Sequence, residues 1–80
     1  MRFDLKTEVV DPNTNKKYKV STVEMPAQLQ PMISYRYETM IICEGDFLEY
    51  QHRCDKETTA TINHEVVCEM IRNGKIDELE

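Results

Sequence analysis

The sequence predicts a small α+β domain: two β-hairpins forming a four-stranded antiparallel sheet, with one C-terminal helix packed on one face (ββββα). Three observations carry this reading. Residues 3–9 and 18–22 alternate inward-type and charged or hydroxyl side chains around an Asp-Pro turn. Residues 35–54 hold two further strand-like runs around Glu44-Gly45-Asp46, and residues 57–72 repeat their apolar positions at helical spacing.

In the first hairpin, spanning residues 1–24, Phe3, Leu5, Thr7 and Val9 alternate with Arg2, Asp4, Lys6 and Glu8, the pattern of a strand with one buried face. Asp11-Pro12-Asn13-Thr14-Asn15 makes the turn. Pro12 presets its own φ, Asp11 can bond to backbone ahead of it, and Asn15 tolerates positive φ. Tyr18, Val20 and Thr22 then alternate with Lys19 and Ser21 on the return. Residues 25–34 form a connector, because Pro26 and Pro31 leave room for one helical turn at most.

The second hairpin and the helix occupy residues 35–73. Strands Tyr35–Cys43 and Phe47–Cys54 flank a three-residue turn, which pairs Ile42 with Leu48, Met40 with Tyr50 and Glu38 with His52 on one side of the sheet. Tyr37, Ile41, Cys43 and Phe47 fall on the other. The helix runs from about Glu57 to Arg72 with Asp55 as N-cap. Ala60, His64, Val67 and Ile71 form its buried stripe, above Met40, Ile42, Leu48 and Tyr50. Glu65, Glu69 and Arg72 point outward. Asn73-Gly74 ends the helix, and residues 74–80 are an acidic tail expected to fray.

Composition bounds the function. Eighty residues with 40% hydrophobic and 31% charged side chains make one globular domain. A chain of this length buries only about 60% of its unfolded surface, so its core is one layer thick. The longest apolar run, Met40 to Cys43, is far below the roughly 20 residues of a membrane span, and the first residues carry no apolar signal core. No membrane association and a cytoplasmic location are expected. Three cysteines without regular spacing predict reduced thiols.

The net charge of -5 is uneven: residues 1–34 carry five basic and four acidic side chains, residues 35–80 five and eleven. Such a surface repels nucleic acid and attracts a basic protein. Glu44, Asp46, Glu49, Glu65 and Glu69 are the carboxylates expected to meet a partner. Tyr37, Ile41 and Phe47, on the sheet side that one helix cannot cover, are an expected hydrophobic contact face for a partner or a second copy.

Tyr37-Glu38-Thr39-Met40-Ile41, then Arg53, then Ala60 and His64 four apart on the helix, resemble small uncharacterised proteins of tailed phages and prophages. Those proteins share a Tyr/Phe-Glu-Thr-Met-Val/Ile strand and an Ala-x-x-x-His helix. The opening strand and Asp-Pro turn extend the resemblance over most of the chain. Cys54 departs from it, standing where the family pattern has Tyr. The resemblance implies a phage or prophage origin and a ββββα-like fold, with no activity attached.

The remaining constellations are read against simpler structural roles. His64 and Cys68 have a zinc-ligand spacing, and His52 could join them, but that set lacks a fourth ligand. A thiolate nucleophile at Cys68 would sit between Glu65 and Glu69, the opposite of the electropositive setting it needs. Glu38, His52 and His64 are expected to form a polar group that positions the helix. The sum of these readings is a non-enzymatic phage or prophage accessory protein without a cofactor, acting by binding a host protein. An inhibitor of a host defence effector, anti-CRISPR-like, is its sharpest form. A housekeeping or virion role and a small zinc-stabilised binding module are the alternatives.

Overall fold

The computed structural model describes residues 3–79; Met1, Arg2 and Glu80, and the expectations that fall on them, lie outside the described residues. Strands β1 (Asp4–Val10), β2 (Lys17–Glu24), β3 (Tyr37–Cys43) and β4 (Asp46–Cys54) form one antiparallel sheet in the order β1-β2-β3-β4. Helix α1 (Glu57–Arg72) packs on one face of that sheet. The ββββα arrangement is therefore as the periodicity predicts.

The first hairpin closes as its turn residues dictate. Asp11 is buried, its Oδ1 accepting from Asn13 N at 2.9 Å and its Oδ2 from the Thr14 hydroxyl at 3.2 Å. Asn15 takes φ 61°. Leu5, Thr7 and Val9 stand opposite Thr22, Val20 and Tyr18, and all six face the helix layer. The connector holds a 3-10 turn at Gln30–Met32, with Pro31 inside its first turn. Two ion pairs and two ring contacts fasten its end. Arg36 meets Glu24 at 2.9 Å and lies over Tyr37; Arg53 meets Glu38 at 2.8 Å and lies over Tyr35 at 4.5 Å.

The second hairpin differs from expectation by one residue of turn. Glu44 (φ 53°) and Gly45 (φ 83°) alone connect the strands, the two left-handed residues that a two-residue hairpin turn requires. Ile42 therefore faces Phe47 rather than Leu48. Beyond Ile41 the register shifts, so that Leu48, Glu49 and Tyr50 span the space that Ile41 alone fills on β3. Met40 then faces Gln51, Thr39 faces His52, and Glu38 faces Arg53. The shift is by two residues, which preserves side-chain parity. Tyr37, Thr39, Ile41 and Cys43 consequently point at the helix together with Leu48, Tyr50 and His52, while Met40 and Ile42 join Phe47 on the uncovered face.

The core gathers Val9, Tyr18, Val20, Ile41, Val67, Cys68, Ile71 and Ile76, with Leu48, Tyr50 and Leu79 packed against it. Ala60, His64, Val67 and Ile71 are the buried stripe of α1, and Cys68 joins them. The helix begins with Lys56 at its N-cap and no capping side chain, so Asp55 does not take that role. Its far end is capped by the backbone. Gly74 (φ 73°) donates to Ile71 O at 3.0 Å and Lys75 N to Met70 O at 2.9 Å, the paired bonds of a Schellman motif.

The tail is not frayed over its described residues: Ile76–Leu79 form a 3-10 turn that buries Ile76 in the core. Burying one Ile and part of a Leu outweighs the local entropy that acidic Asp77 and Glu78 suggest. Asn13 Nδ2 holds this region by donating to Gly74 O at 3.0 Å. A Cβ on Gly74 would collide with that same amide, whereas one on Gly45 meets open space. Gly74→Ala should thus cost both left-handed strain, about 1–3 kcal/mol, and the Asn13 bond. Gly45→Ala should cost the strain alone. Urea denaturation of both variants checks this, and equal losses would show that the Asn13 contact constrains nothing.

Candidate functional site

A polar row crosses the buried face of the sheet beneath α1. Thr7, Thr22 and Thr39 occupy inward positions on β1, β2 and β3, and His52 stands opposite Thr39 on β4. His64, 3% exposed, reaches down from the helix. Its Nε2 lies 2.9 Å from the Thr7 hydroxyl and its Nδ1 2.8 Å from that of Thr22, which is 2.7 Å from the Thr39 hydroxyl. Neutral imidazole has one donor and one acceptor nitrogen, and each threonine can take either role. Both tautomers therefore leave His64 and the three threonines each with a partner.

Burial pushes the His64 pKa below its ordinary value, against a weaker upward pull from Glu65. Burial likewise raises the Cys68 thiol pKa, partly offset by Arg72 and a hydrogen bond with Thr7. A buried, protonated thiol beside a neutral imidazole is a packing arrangement. Both ring nitrogens of His64 are engaged by threonines, so the set His52, His64 and Cys68 is not assembled as ligands. Among the described residues no group of three or more His, Cys, Asp or Glu is placed to hold a metal ion.

The expected polar trio is not brought together either. Glu38 turns to the uncovered face, where Arg53 Nε donates to it at 2.8 Å, while His52 faces the helix side. His52 Nδ1 is buried with no partner among the described residues. The two-residue turn explains the separation, since it places neighbours expected on one side on opposite sides. The threonines are what sequence reasoning missed. Part of their signal was present: Thr7 and Thr22 on the inward face of the first hairpin and one histidine on an apolar helix stripe are polar groups that must find a partner, whereas the three-residue turn put Thr39 on the other face.

The exposed carboxylates fall into two groups. Glu44 lies in the β3–β4 turn, Asp46 follows it as the first residue of β4, and Glu49 projects from the uncovered face of β4. Glu65 and Glu69 lie on the opposite layer, along the exposed side of α1. Of the expected hydrophobic contact face, Tyr37 (5% exposed) and Ile41 (0%) are buried beneath the helix, and only Phe47 is open, at 62%. Ile42 and Met40 replace them as its neighbours. The helix adds an unexpected feature: Ile62 and Val66, four apart on its outer side, are 62% and 49% exposed.

Among the described residues no helix is long and apolar enough to cross a membrane. No protein-family model, curated protein or solved structure matches this chain.

Two consequences follow from the buried row. Thr22→Val keeps the shape but strips His64 Nδ1 and Thr39 of their shared partner, and should cost about 1–3 kcal/mol in chemical denaturation. The depressed His64 pKa also fixes a sign. Its contribution to stability is complete above the unfolded value near 6.5 and is lost as pH falls through the lower folded value. His64→Gln should therefore flatten the stability profile below about pH 6.5. Parallel profiles for the two proteins would exclude the linkage.

Proposed function

We propose that this domain acts by binding another protein, through the uncovered sheet face and the acidic hairpin end beside it. The observation that carries the reading is Phe47. A large aromatic ring lies mostly in solvent next to Ile42 and Met40, with Glu49 two residues along the same strand face, Glu44 and Asp46 at the hairpin end, and Lys19 of β2 opposite Ile42. An apolar centre with a charged rim is the anatomy of a protein contact surface, and aromatic anchors at such centres dominate affinity. The carboxylates favour a partner whose own rim is basic.

The resemblance to phage and prophage proteins supplies the setting, a small accessory protein working in the host cytoplasm. A stoichiometric inhibitor of a host defence effector is the sharpest version of this reading, because such effectors carry basic nucleic-acid channels that an acidic rim can occupy. A virion or housekeeping partner is the competing version. A second copy of the chain is the remaining occupant of the Phe47 face.

The chain immobilised and exposed to host lysate separates these. Recovery of a nuclease effector supports the inhibitor; recovery of capsid or replication proteins instead overturns it. With the purified partner, Phe47→Ser should weaken binding by about 2 kcal/mol. Reversing Glu44, Asp46 and Glu49 should reduce its salt sensitivity. An unchanged affinity for the Phe47 variant would remove this face from the interface. Sedimentation over a concentration series tests the second copy, which a strictly monomeric mass eliminates.

A further inference from the structure

The free edge of β1 and the groove between β1 and α1 lie apart from the Phe47 face. The backbone pairing shows how that edge is presented. Phe3 O accepts from Glu24 N at 3.0 Å, and at the other end Asp11 N donates to Lys16 O at 2.9 Å. Hydrogen-bonded pairs in an antiparallel ladder recur at every second residue. Leu5, Thr7 and Val9 therefore bond inward to β2, and Asp4, Lys6, Glu8 and Val10 turn their N–H and C=O groups to the edge. Among the described residues β1 has a strand on one side only.

The two edges of the sheet are not alike. The β3–β4 register shift distorts the β4 edge, one of the ways sheets avoid edge pairing. In contrast, β1 is seven residues long, with an unbroken register to β2 and no proline. It is a regular template for one more strand.

Beside this edge runs an open groove, walled by Leu5 and Thr7 from β1 and by Glu65, Cys68, Glu69 and Arg72 from α1. A strand added to β1 would turn every second side chain into that groove. Its helix wall is acidic at two points. Glu65 has no cationic partner among the described residues, and Glu69 has only Arg72, at 3.6 Å on an exposed pair. The two glutamates are four residues apart on a helix, about 6 Å along its axis. Alternate side chains on a strand are about 6.8 Å apart. The spacings match.

We propose that β1 accepts an extended segment of a partner protein by strand addition, with two basic side chains at alternate positions directed at Glu65 and Glu69. Backbone bonds to the edge supply affinity whatever the sequence, and the glutamate pair supplies selection. This site rests on edge geometry and helix charge, and does not depend on the Phe47 face having a partner.

A randomised nonapeptide library displayed on mRNA and selected against the whole chain tests it. Enriched peptides should carry Lys or Arg at two positions separated by one residue, within a strand-forming sequence. The enriched peptide should slow amide exchange at Lys6 and Glu8. N-methylation of one alternate set of its amides should abolish binding, while methylation of the other set spares it. Glu65→Lys with Glu69→Lys should weaken it about tenfold, and Phe47→Ser should leave it unchanged. A selection that enriches nothing, peptides without the basic alternation, protection mapped to β4 or the Phe47 face, or equal effects of both methylation sets would each overturn the proposal.

Discussion

Two residues in the left-handed region, Glu44 and Gly45, decide which side chains of the second hairpin meet the helix. A hairpin pairs residues according to the length of its turn, and side chains alternate faces with period two. One residue more or less therefore exchanges the buried and exposed sets of a whole strand. With two residues in the turn, Ile41 and Tyr37 go under α1 and Phe47 goes outside. The later irregularity opposite Ile41 moves the register by two and leaves that assignment intact. The composition of the core and of the uncovered face both descend from this turn.

Once the faces are set, the helix must be placed on one of them, and burial of apolar side chains alone does so loosely. Hydrophobic contact is non-directional. The threonine row adds direction. His64 can satisfy both ring nitrogens only where Thr7 and Thr22 lie on either side of it, so sliding α1 along the sheet strands a buried donor or acceptor at a cost of about 1–3 kcal/mol. A second pin acts at β4, where Asn63 Nδ2 donates to the Tyr50 hydroxyl at 3.1 Å. The closing Schellman turn and Ile76 then fasten the far end of the helix to the same core.

Much of this was legible in the residues, and the parts that were not share a cause. The first hairpin, the span of α1 and its buried stripe follow from local periodicity, and the Asp11 and Asn15 roles follow from turn chemistry. What needed tertiary information was anything resting on an integer choice or a distant partner. Glu44-Gly45 can start a two- or a three-residue turn, and the wrong choice misplaces Tyr37, Ile41 and Glu38 together. Asp77 and Glu78 mask Ile76, whose burial depends on a core built by β1 to β3. Asn13 and Gly74, sixty-one residues apart, meet only when the domain closes.

The same economy shapes the surface. A sheet has two faces and two edges, and a single helix with a short 3-10 turn covers one face. In a chain of this length nothing else is available among the described residues to cover the rest. The uncovered parts nevertheless differ in chemistry. The Phe47 face has an apolar centre, Phe47, Ile42 and Met40, among charged side chains of both signs, whereas the β1 edge offers backbone groups beside two helix glutamates. The outer side of α1 presents Ile62 and Val66, β-branched residues that lower helix propensity where no packing compensates them. Exposed residues chosen only for solubility would not include these. In the two contacts proposed above, the apolar centre on the sheet would select by buried area and the acidic wall above the free edge by hydrogen-bond direction. The two surfaces lie on different parts of the sheet, so a contact proposed at one leaves the other, and the core beneath both, unchanged.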